Sequence, residues 1–418
     1  MSSIRILPGK LTGKISAPPS KSAVHRALIC AALAGNGIVK NISVSKDIAA
    51  TLGALKALGF IFKQREGEVE FFGRKEVPGR AVIDCGESGS TLRFMIPVAA
   101  ALGQQARFIG SGRLPERPIS EYKTLLNDKG VTLDSDKLPI NIDGRLDSGV
   151  FEIPGNISSQ YISGMLMALP LAGGGEIRLT SALESAPYVD MTLQMMRRFG
   201  VRCEARGQSF IVEGGQYKGA IAAIEGDYSQ AAFWLAAGAI SGDVTVENLS
   251  SSSLQGDRRI VELLRGFGAN VSQSREAVTA KQSALTGMDI DARDIPDLVP
   301  VLAVLGAYAS GKTRIYNIER LQLKESDRKA AVYNMIKSMG GEIELAPESI
   351  IIKGSGLSGG EIDTENDHRI AMAGAIAALG AKNGAIIKDY RCVDKSYPDF
   401  YRDFIRLGGV IDGLDLGE

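Results

Sequence analysis

A chain of 418 residues exceeds what a single core usually serves, so two domains are expected. Lysine plus arginine balance aspartate plus glutamate at 48 each, which excludes a general field for nucleic acid or anionic membrane and makes any anion site local. The apolar fraction of 44% with 49 glycines describes a folded chain rich in turns rather than a disordered one.

The opening segment, MSSIRILPGKL, has no long apolar core and no small-residue cleavage pattern, so a secretory leader is not expected. From residue 20 onward a helix-like apolar text recurs, as SAVHRALICAALAG, STLRFMIPVAAALG, SSQYISGMLMALPLAG, YSQAAFWLAAGAISG, PDLVPVLAVLGAYASG and DHRIAMAGAIAALG. A helix apolar nearly all round is a buried helix. All the apolar runs fall short of the roughly 20 residues that a membrane span needs. Each is followed by a more amphipathic helix that runs into a small-residue break and then strand-like text. The breaks fall at Gly59, Gly130, Gly200, Gly268, Gly340 and Gly408. Their interval of roughly 70 residues is too long for a solenoid unit and suits a small α/β subdomain.

The expected fold is therefore α/β (α+β), with two globular domains of three βαβαβ-like units each. The first domain is expected over 14–225. The second, discontinuous domain is expected over 1–13 and 226–418, with the crossing at IEGDYSQ around Gly226. Cys30, Cys85, Cys203 and Cys392 lie far apart and form no CxxC pair, which reads as free thiols in a reducing, cytoplasmic setting. His25 and His368 are the only histidines, too few for the usual zinc site.

Several of the buried helices open on residues with no reason to be in a core. Helix one opens with Lys21 and Ser22 and carries Arg26. The second is entered through GESGSTLR, with Gly89 and Arg93, the third through Ser158, Ser159 and Gln160, and the sixth through Asp367, His368 and Arg369. A helix N-terminus offers unpaired N–H groups and a positive dipole end, which suits phosphate or carboxylate. Singly, Ser or Asp there is a cap and Lys or Arg a solvated charge. Arginine in the first turn at three of six equivalent places, however, opposes the dipole unless an anion compensates. Further candidates precede the amphipathic helices: Arg113 and Arg117 in GSGRLPERPI, Lys324, Glu325, Asp327 and Arg328 in LQLKESDR, and Lys395 in RCVDKSYPDF. Lys-Glu-Ser-Asp-Arg brings an acid, a base and two cations together, as proton transfer beside an anion requires. Asp297, in IPDLVP, is a carboxylate at the start of a very apolar helix.

With PPSKSAVHRAL, GESGSTLRF, ERPI, SSQY, SAPYVDMTL, LKESDR, DHRIAMA and KSYPDF present in order, the whole chain resembles the 5-enolpyruvylshikimate-3-phosphate synthase family of enolpyruvyl transferases. The resemblance implies an active site in the cleft between two domains, which closes over its substrates. It also implies transfer of the enolpyruvyl group of phosphoenolpyruvate to shikimate 3-phosphate, with no cofactor and no metal. Carried over by motif, Ser22, Arg26, Ser158, Ser159, Gln160, Ser185, Tyr188, Asp297 and Lys324 bind shikimate 3-phosphate. Lys21, Gly89, Arg117, Gln160, Arg328, Arg369 and Lys395 surround phosphoenolpyruvate, and Arg93 belongs to the same anion-rich helix start. Asp297 is the candidate base for the 5-hydroxyl and Glu325 for the methylene carbon, with Lys21 and Lys395 sharing charge neutralisation. A cytoplasmic monomer without nucleic-acid or membrane partners is expected.

The chain departs from the family pattern in places. Glu87 to Arg93 replace the better-known N-A-G-T-A-M-R, Arg320 stands at a familiar asparagine, and Ala186 stands where one branch has lysine. Ser90 and Phe94 lead to an expectation of reduced, not absent, inhibition by glyphosate, the inhibitor that competes with phosphoenolpyruvate at the position of Gly89. The rival readings are the sister UDP-N-acetylglucosamine enolpyruvyl transferase, which usually has a reactive cysteine where GSGRLPERPI has none, RNA 3′-terminal phosphate cyclase, and a non-catalytic anion-binding relative.

Overall fold

The computed structural model describes residues 2–414; residues 1 and 415–418, which the expected domain limits include, lie outside the described residues. The six glycine breaks end the amphipathic helices for a shared reason. Gly59, Gly130, Gly200, Gly268, Gly340 and Gly408 have φ of +87°, +79°, +80°, +86°, +79° and +99°. A side chain is costly in that left-handed region, and glycine there lets the chain reverse out of the helix. The N–H groups of Gly59, Gly200, Gly268, Gly340 and Gly408 donate to the carbonyls of Lys56, Arg197, Arg265, Lys337 and Ile405, satisfying helix ends.

Six four-stranded sheets are present among the described residues. In one, Ala81–Asp84 runs parallel to Ala106–Ile109 across the buried helix Gly89–Ala101. Ile140–Gly144 then pairs antiparallel with Ala106–Ile109 and with Val131–Leu133. The βαβαβ-like unit thus carries one further hairpin strand, because the stretch after each of the first five glycines folds back on itself. Phe60–Arg65 and Glu68–Arg74 do so around Gly67, whose φ is +67°.

Three sheets are completed by strands far away in sequence. Ile221–Ala223 lies parallel to Ile38–Lys40, and Thr12–Ser16 lies parallel to Asp243–Glu247. Ser3–Ile6 sits antiparallel between Ala385–Lys388 and Ile411–Asp412. The chain accordingly forms two compact units, one of residues up to Pro18 with those from Glu225 onward, the other Pro19–Ile224. The 13/14 limit expected from sequence falls inside the strand Thr12–Ser16, which its pairing with Asp243–Glu247 keeps whole.

Each unit has its own apolar core. The helix Val299–Tyr308 is buried at every residue from Val299 to Ala307, and Lys21–Ala34 from Ala23 to Ala32. Each Leu, Ile or Val so enclosed contributes about 1.5–3 kcal/mol. Ala186–Arg198 instead buries a stripe of Val189, Met191, Thr192, Met195 and Met196, the spacing of a one-sided helix. Cys30, Cys85 and Cys392 are buried free thiols and Cys203 is a half-buried one. Burial pushes Cys30 and Cys392 up to about 12, which keeps them out of thiolate chemistry at neutral pH. Among the described residues no helix is long and apolar enough to cross a membrane.

Candidate active site

In the 19–224 unit the candidates stand at the N-terminal turns of the buried helices. Lys21 opens the helix Lys21–Ala34, and its Nζ donates to Asp47 Oδ2 at 2.6 Å. Asp47 lies in the first turn of Lys46–Ala57, where a carboxylate also suits the helix dipole. Arg26 is 2% exposed, and burial lowers it to about 10, so it remains charged at neutral pH. Its Nε donates to Thr192 Oγ1 at 2.7 Å and its Nη1 to the carbonyl of Ser22 at 2.7 Å. Its Nη2 reaches Ser163 Oγ at 3.3 Å and the Tyr188 carbonyl at 3.0 Å. Four of the five guanidinium N–H groups are thus engaged with neutral acceptors among the described residues, which leaves one on Nη1 to meet a ligand.

Gly89 begins the helix Gly89–Ala101, and a β-carbon on it would lie 2.6–2.9 Å from the guanidinium of Arg117. Only a glycine lets the cation approach the helix start that closely. Arg93 Nη1 donates to Gln160 Oε1 at 3.0 Å and Nη2 to the Pro118 carbonyl at 3.1 Å. Gln160 Nε2 donates in turn to Ser90 Oγ at 3.0 Å. The glycine loop is thereby tied to the start of Ser159–Ala168, where Ser158 Oγ caps the helix by accepting from Gln160 N at 3.3 Å. Ser159 and Ser185 are buried. Ser185 is held at φ +56°, a strained conformation for a residue with a side chain, just before Ala186–Arg198.

In the other unit Arg328, Arg369 and Lys324 grip carboxylates. Arg328, the first residue of Arg328–Ser338, is fully buried. Its Nε donates to Asp367 Oδ2 at 2.9 Å and its Nη1 to Asp297 Oδ1 at 2.8 Å. Its Nη2 donates to Glu325 Oε2 at 2.5 Å and Asp367 Oδ1 at 3.3 Å. Burial disfavours this charge, but the carboxylates of Asp367, Glu325 and Asp297 more than reverse that and hold its pKa above the ordinary value.

Arg369 Nη2 donates to Asp297 Oδ2 at 3.0 Å, its Nη1 to the Asp297 carbonyl at 3.2 Å, and Lys324 Nζ lies 3.4 Å from Asp297 Oδ1. Burial alone would raise Asp297; the charges of Arg369, Lys324 and Arg328 override it and hold the carboxyl well below the usual carboxylate range. Lys324 is lowered by burial and the nearby Arg328 charge, against the pull of Asp297. Lys395 Nζ, on a buried side chain, donates to the Asn366 carbonyl at 2.6 Å.

The structure thus joins Gly89, Arg93, Arg117, Ser158 and Gln160 into one cluster, Arg26 with Ser22 and Tyr188 into a second, and Asp297, Lys324, Glu325, Arg328 and Arg369 into a third. Arg26 and Arg328 are more enclosed than the sequence suggests, because their donors hold neighbouring helices together. Arg320, the departure from the family pattern, donates to the Arg293 carbonyl at 2.6 Å.

Three carboxylates stood outside the site residues read from the sequence. Asp367 was visible only as a helix cap, which it also is, accepting from Arg369 N at 2.9 Å. Asp47 gave no signal beyond a first-turn acid. Asp257, 2% exposed, accepts a hydrogen bond from Ser229 Oγ, while its Oδ1 has no hydrogen-bond partner among the described residues. Burial pushes Asp257 up to about 7, aided by the negative charge of Asp297 and opposed by Arg369. Two carboxyls of one unit are therefore driven apart, Asp297 ionised and Asp257 inclined to hold a proton, the pattern that separates a base from a neutral neighbour.

The family model described as EPSP synthase (3-phosphoshikimate 1-carboxyvinyltransferase) matches residues 7–404. The chain is 40% identical over 440 residues to the 3-phosphoshikimate 1-carboxyvinyltransferase of Clostridium novyi, covering 100% of both chains. It is 42% identical over 426 residues to that of Clostridium kluyveri, again covering 100% of both. Among solved structures, EPSP synthase from Acinetobacter baumannii aligns with a TM-score of 0.83 at 26% identity over 99% of each chain. The enolpyruvyl transferase NikO from Streptomyces tendae aligns with a TM-score of 0.77 over 98% of each chain, at 18% identity, a likeness of fold alone. With cations gathered at its helix starts and its carboxylates held by arginine, this chain belongs to the EPSP synthase family.

Proposed function

We propose that this chain transfers the enolpyruvyl group of phosphoenolpyruvate to the 5-hydroxyl of shikimate 3-phosphate, releasing phosphate by addition and then elimination. In the addition, the 5-hydroxyl oxygen bonds to C2 of phosphoenolpyruvate as the hydroxyl loses its proton and the methylene carbon gains one. In the elimination, a methyl proton leaves and the bond from C2 to the phosphate oxygen breaks, so the tetrahedral intermediate yields a new enol ether and inorganic phosphate.

The observation that carries the residue roles is the Arg328 guanidinium, which holds Asp297 and Glu325 at 2.8 and 2.5 Å and so fixes two proton-transfer groups relative to each other. Asp297 receives the 5-hydroxyl proton and Glu325 serves the methylene carbon. A carboxylate held as low as Asp297 is a weak base while Lys324 and Arg369 neutralise it. The substrate anions compete for those cations, and their arrival raises Asp297 toward a useful basicity. Ser22, Arg26, Ser158, Ser159, Gln160, Ser185, Tyr188 and Lys324 are assigned to shikimate 3-phosphate. Lys21, Gly89, Arg93, Arg117, Gln160, Arg369 and Lys395 are assigned to phosphoenolpyruvate, with Lys21 and Lys395 neutralising charge. Arg328, with its donors engaged by carboxylates, acts by orienting them.

Shikimate 3-phosphate is assigned mainly to residues of the 19–224 unit, and phosphoenolpyruvate to Lys21, Gly89, Arg93, Arg117 and Gln160 of that unit with Arg369 and Lys395 of the other. The protein works as a cytoplasmic monomer, with reduced sensitivity to glyphosate. The deciding experiment supplies purified protein with phosphoenolpyruvate and either shikimate 3-phosphate or UDP-N-acetylglucosamine and follows phosphate. Release with shikimate 3-phosphate alone is expected; release only with the nucleotide sugar, or with neither, sinks the reading.

A further inference from the structure

Two cross-helix bonds join the same pair of helices, one turn apart. Lys21 and His25 are four residues apart on Lys21–Ala34, and Asp47 and Thr51 are four apart on Lys46–Ala57. Each pair lies on one helix face. The outer rung is Lys21 to Asp47 at 2.6 Å, and the inner rung is His25 Nδ1 to Thr51 Oγ1 at 2.7 Å. The inner rung continues. Thr51 Oγ1 lies 2.7 Å from Thr91 Oγ1, and Thr91 Oγ1 donates to Ser88 Oγ at 2.8 Å. Ser88 is the residue before Gly89, and its Oγ also caps the helix by accepting from Thr91 N at 3.2 Å. His25, Thr51, Thr91 and Ser88 are all buried, the first three with no residual exposure.

One proton per hydroxyl orders this chain. Thr91 gives its proton to Ser88, so it accepts from Thr51; Thr51 gives its proton to Thr91, so it accepts from His25. His25 therefore carries its hydrogen on Nδ1, and Nε2, which has no hydrogen-bond partner among the described residues, is a bare acceptor rather than an orphaned donor. Burial first, then the charges of Lys21 and Arg26, hold His25 well below its ordinary pKa, in keeping with a neutral ring. The outer end of the ladder fixes Lys21 and the inner end fixes the residue before Gly89.

We propose that His25 and Thr51 are positioning residues for phosphoenolpyruvate, holding the Ser88–Gly89 helix start at the distance from Lys21 that the substrate needs. This rests on the reading of Lys21 and Gly89 as phosphoenolpyruvate ligands. None of the four relay side chains need touch substrate. A purely structural polar cluster would support the whole unit alike; a positioning chain acts on one substrate and one loop.

The test is Thr51→Val, close in shape but unable to take part in either hydrogen bond, with Thr51→Ser as the restoring variant. For Thr51→Val the expected result is a rise in KM for phosphoenolpyruvate of about tenfold. KM for shikimate 3-phosphate stays within about twofold, and amide exchange quickens over 86–92 with the rest of the unit unchanged. Thr51→Ser returns both readouts to the parent values. If Thr51→Val fails to fold, His25→Asn and His25→Leu decide. The Asn amide N–H can replace Nδ1–H, so it is expected to retain the parent KM, whereas Leu raises it. An unchanged KM for phosphoenolpyruvate in Thr51→Val or His25→Leu overturns the proposal, as does a matched rise in both KM values with exchange quickened throughout. Parent protein that releases no phosphate from these substrates overturns the functional reading instead, and the exchange pattern then decides the positioning claim alone.

Discussion

The two units treat their buried arginines differently. In the 19–224 unit, Arg26 and Arg93 hydrogen-bond to hydroxyls, an amide oxygen and backbone carbonyls, all neutral. In the other unit, Arg328, Arg369 and Lys324 are drawn onto Asp297, Glu325 and Asp367. A guanidinium held by neutral acceptors is fixed in place yet keeps its field for an incoming phosphate. A guanidinium held by carboxylates is largely neutralised by them, and in return it orients them and keeps Asp297 ionised. The first arrangement suits anion binding and the second suits proton transfer. The same residue type therefore serves two purposes according to the charge of its partners.

That contrast can be broken most directly at Asp297. Asp297→Asn retains the shape but not the base, and kcat for phosphate release should fall by about 10²–10⁴ with KM changed much less. Unaltered turnover would remove proton transfer from this unit. The matching change in the 19–224 unit is Arg93→Lys, which loses the planar fork that reaches Gln160 Oε1 and the Pro118 carbonyl together. Its effect should appear as a KM for phosphoenolpyruvate raised by about tenfold, with kcat within about threefold. A loss confined to kcat would show that binding and chemistry are not divided between the units in this way.

The smallest effect concerns Asp257, and its sign is opposite to that of most carboxyls. Its folded value of about 7 lies above the ordinary 3.8, so the native state binds more protons across that interval. Stability contributed by the protonated form is full below the ordinary value and is lost as pH rises through about 7. Asp257→Asn fixes the neutral form. Its melting temperature should match the parent at pH 4 and exceed it by about 2–4 °C at pH 8, measured by thermal unfolding. An equal difference at both pH values would show that Asp257 does not hold a proton in the folded protein.

Much of the fold was legible because it is written in local periodicity. The glycine breaks, the helices buried on all sides and the amphipathic partners each report the environment of a short segment. The added hairpin strand was not legible, since a stretch such as Phe60–Arg74 is strand-like throughout and only the reversal at Gly67 divides it. Within the candidate site, Lys21, Gly89 and Arg93 stood out because a cation or a glycine at the start of an apolar helix conflicts with its surroundings. Asp47, Asp257 and Thr51 did not stand out, because an acid or a threonine in an early helical turn conflicts with nothing.

By itself, then, the sequence determined the repeat, the identity of the buried helices and the places where charge meets a helix start. Each of these depends on neighbours within a turn or two of chain. Tertiary structure alone decided which strands complete the sheets and which partner each charge takes. Arg26 meets Thr192 across 166 residues, Arg328 meets Asp367 across 39, and Lys21 meets Asp47 across 26. Periodicity tells which face of a helix is buried, but the atom that faces it is set by the packing of segments far apart in the chain. That packing is what left one group of arginines open to anions and closed the other around carboxylates.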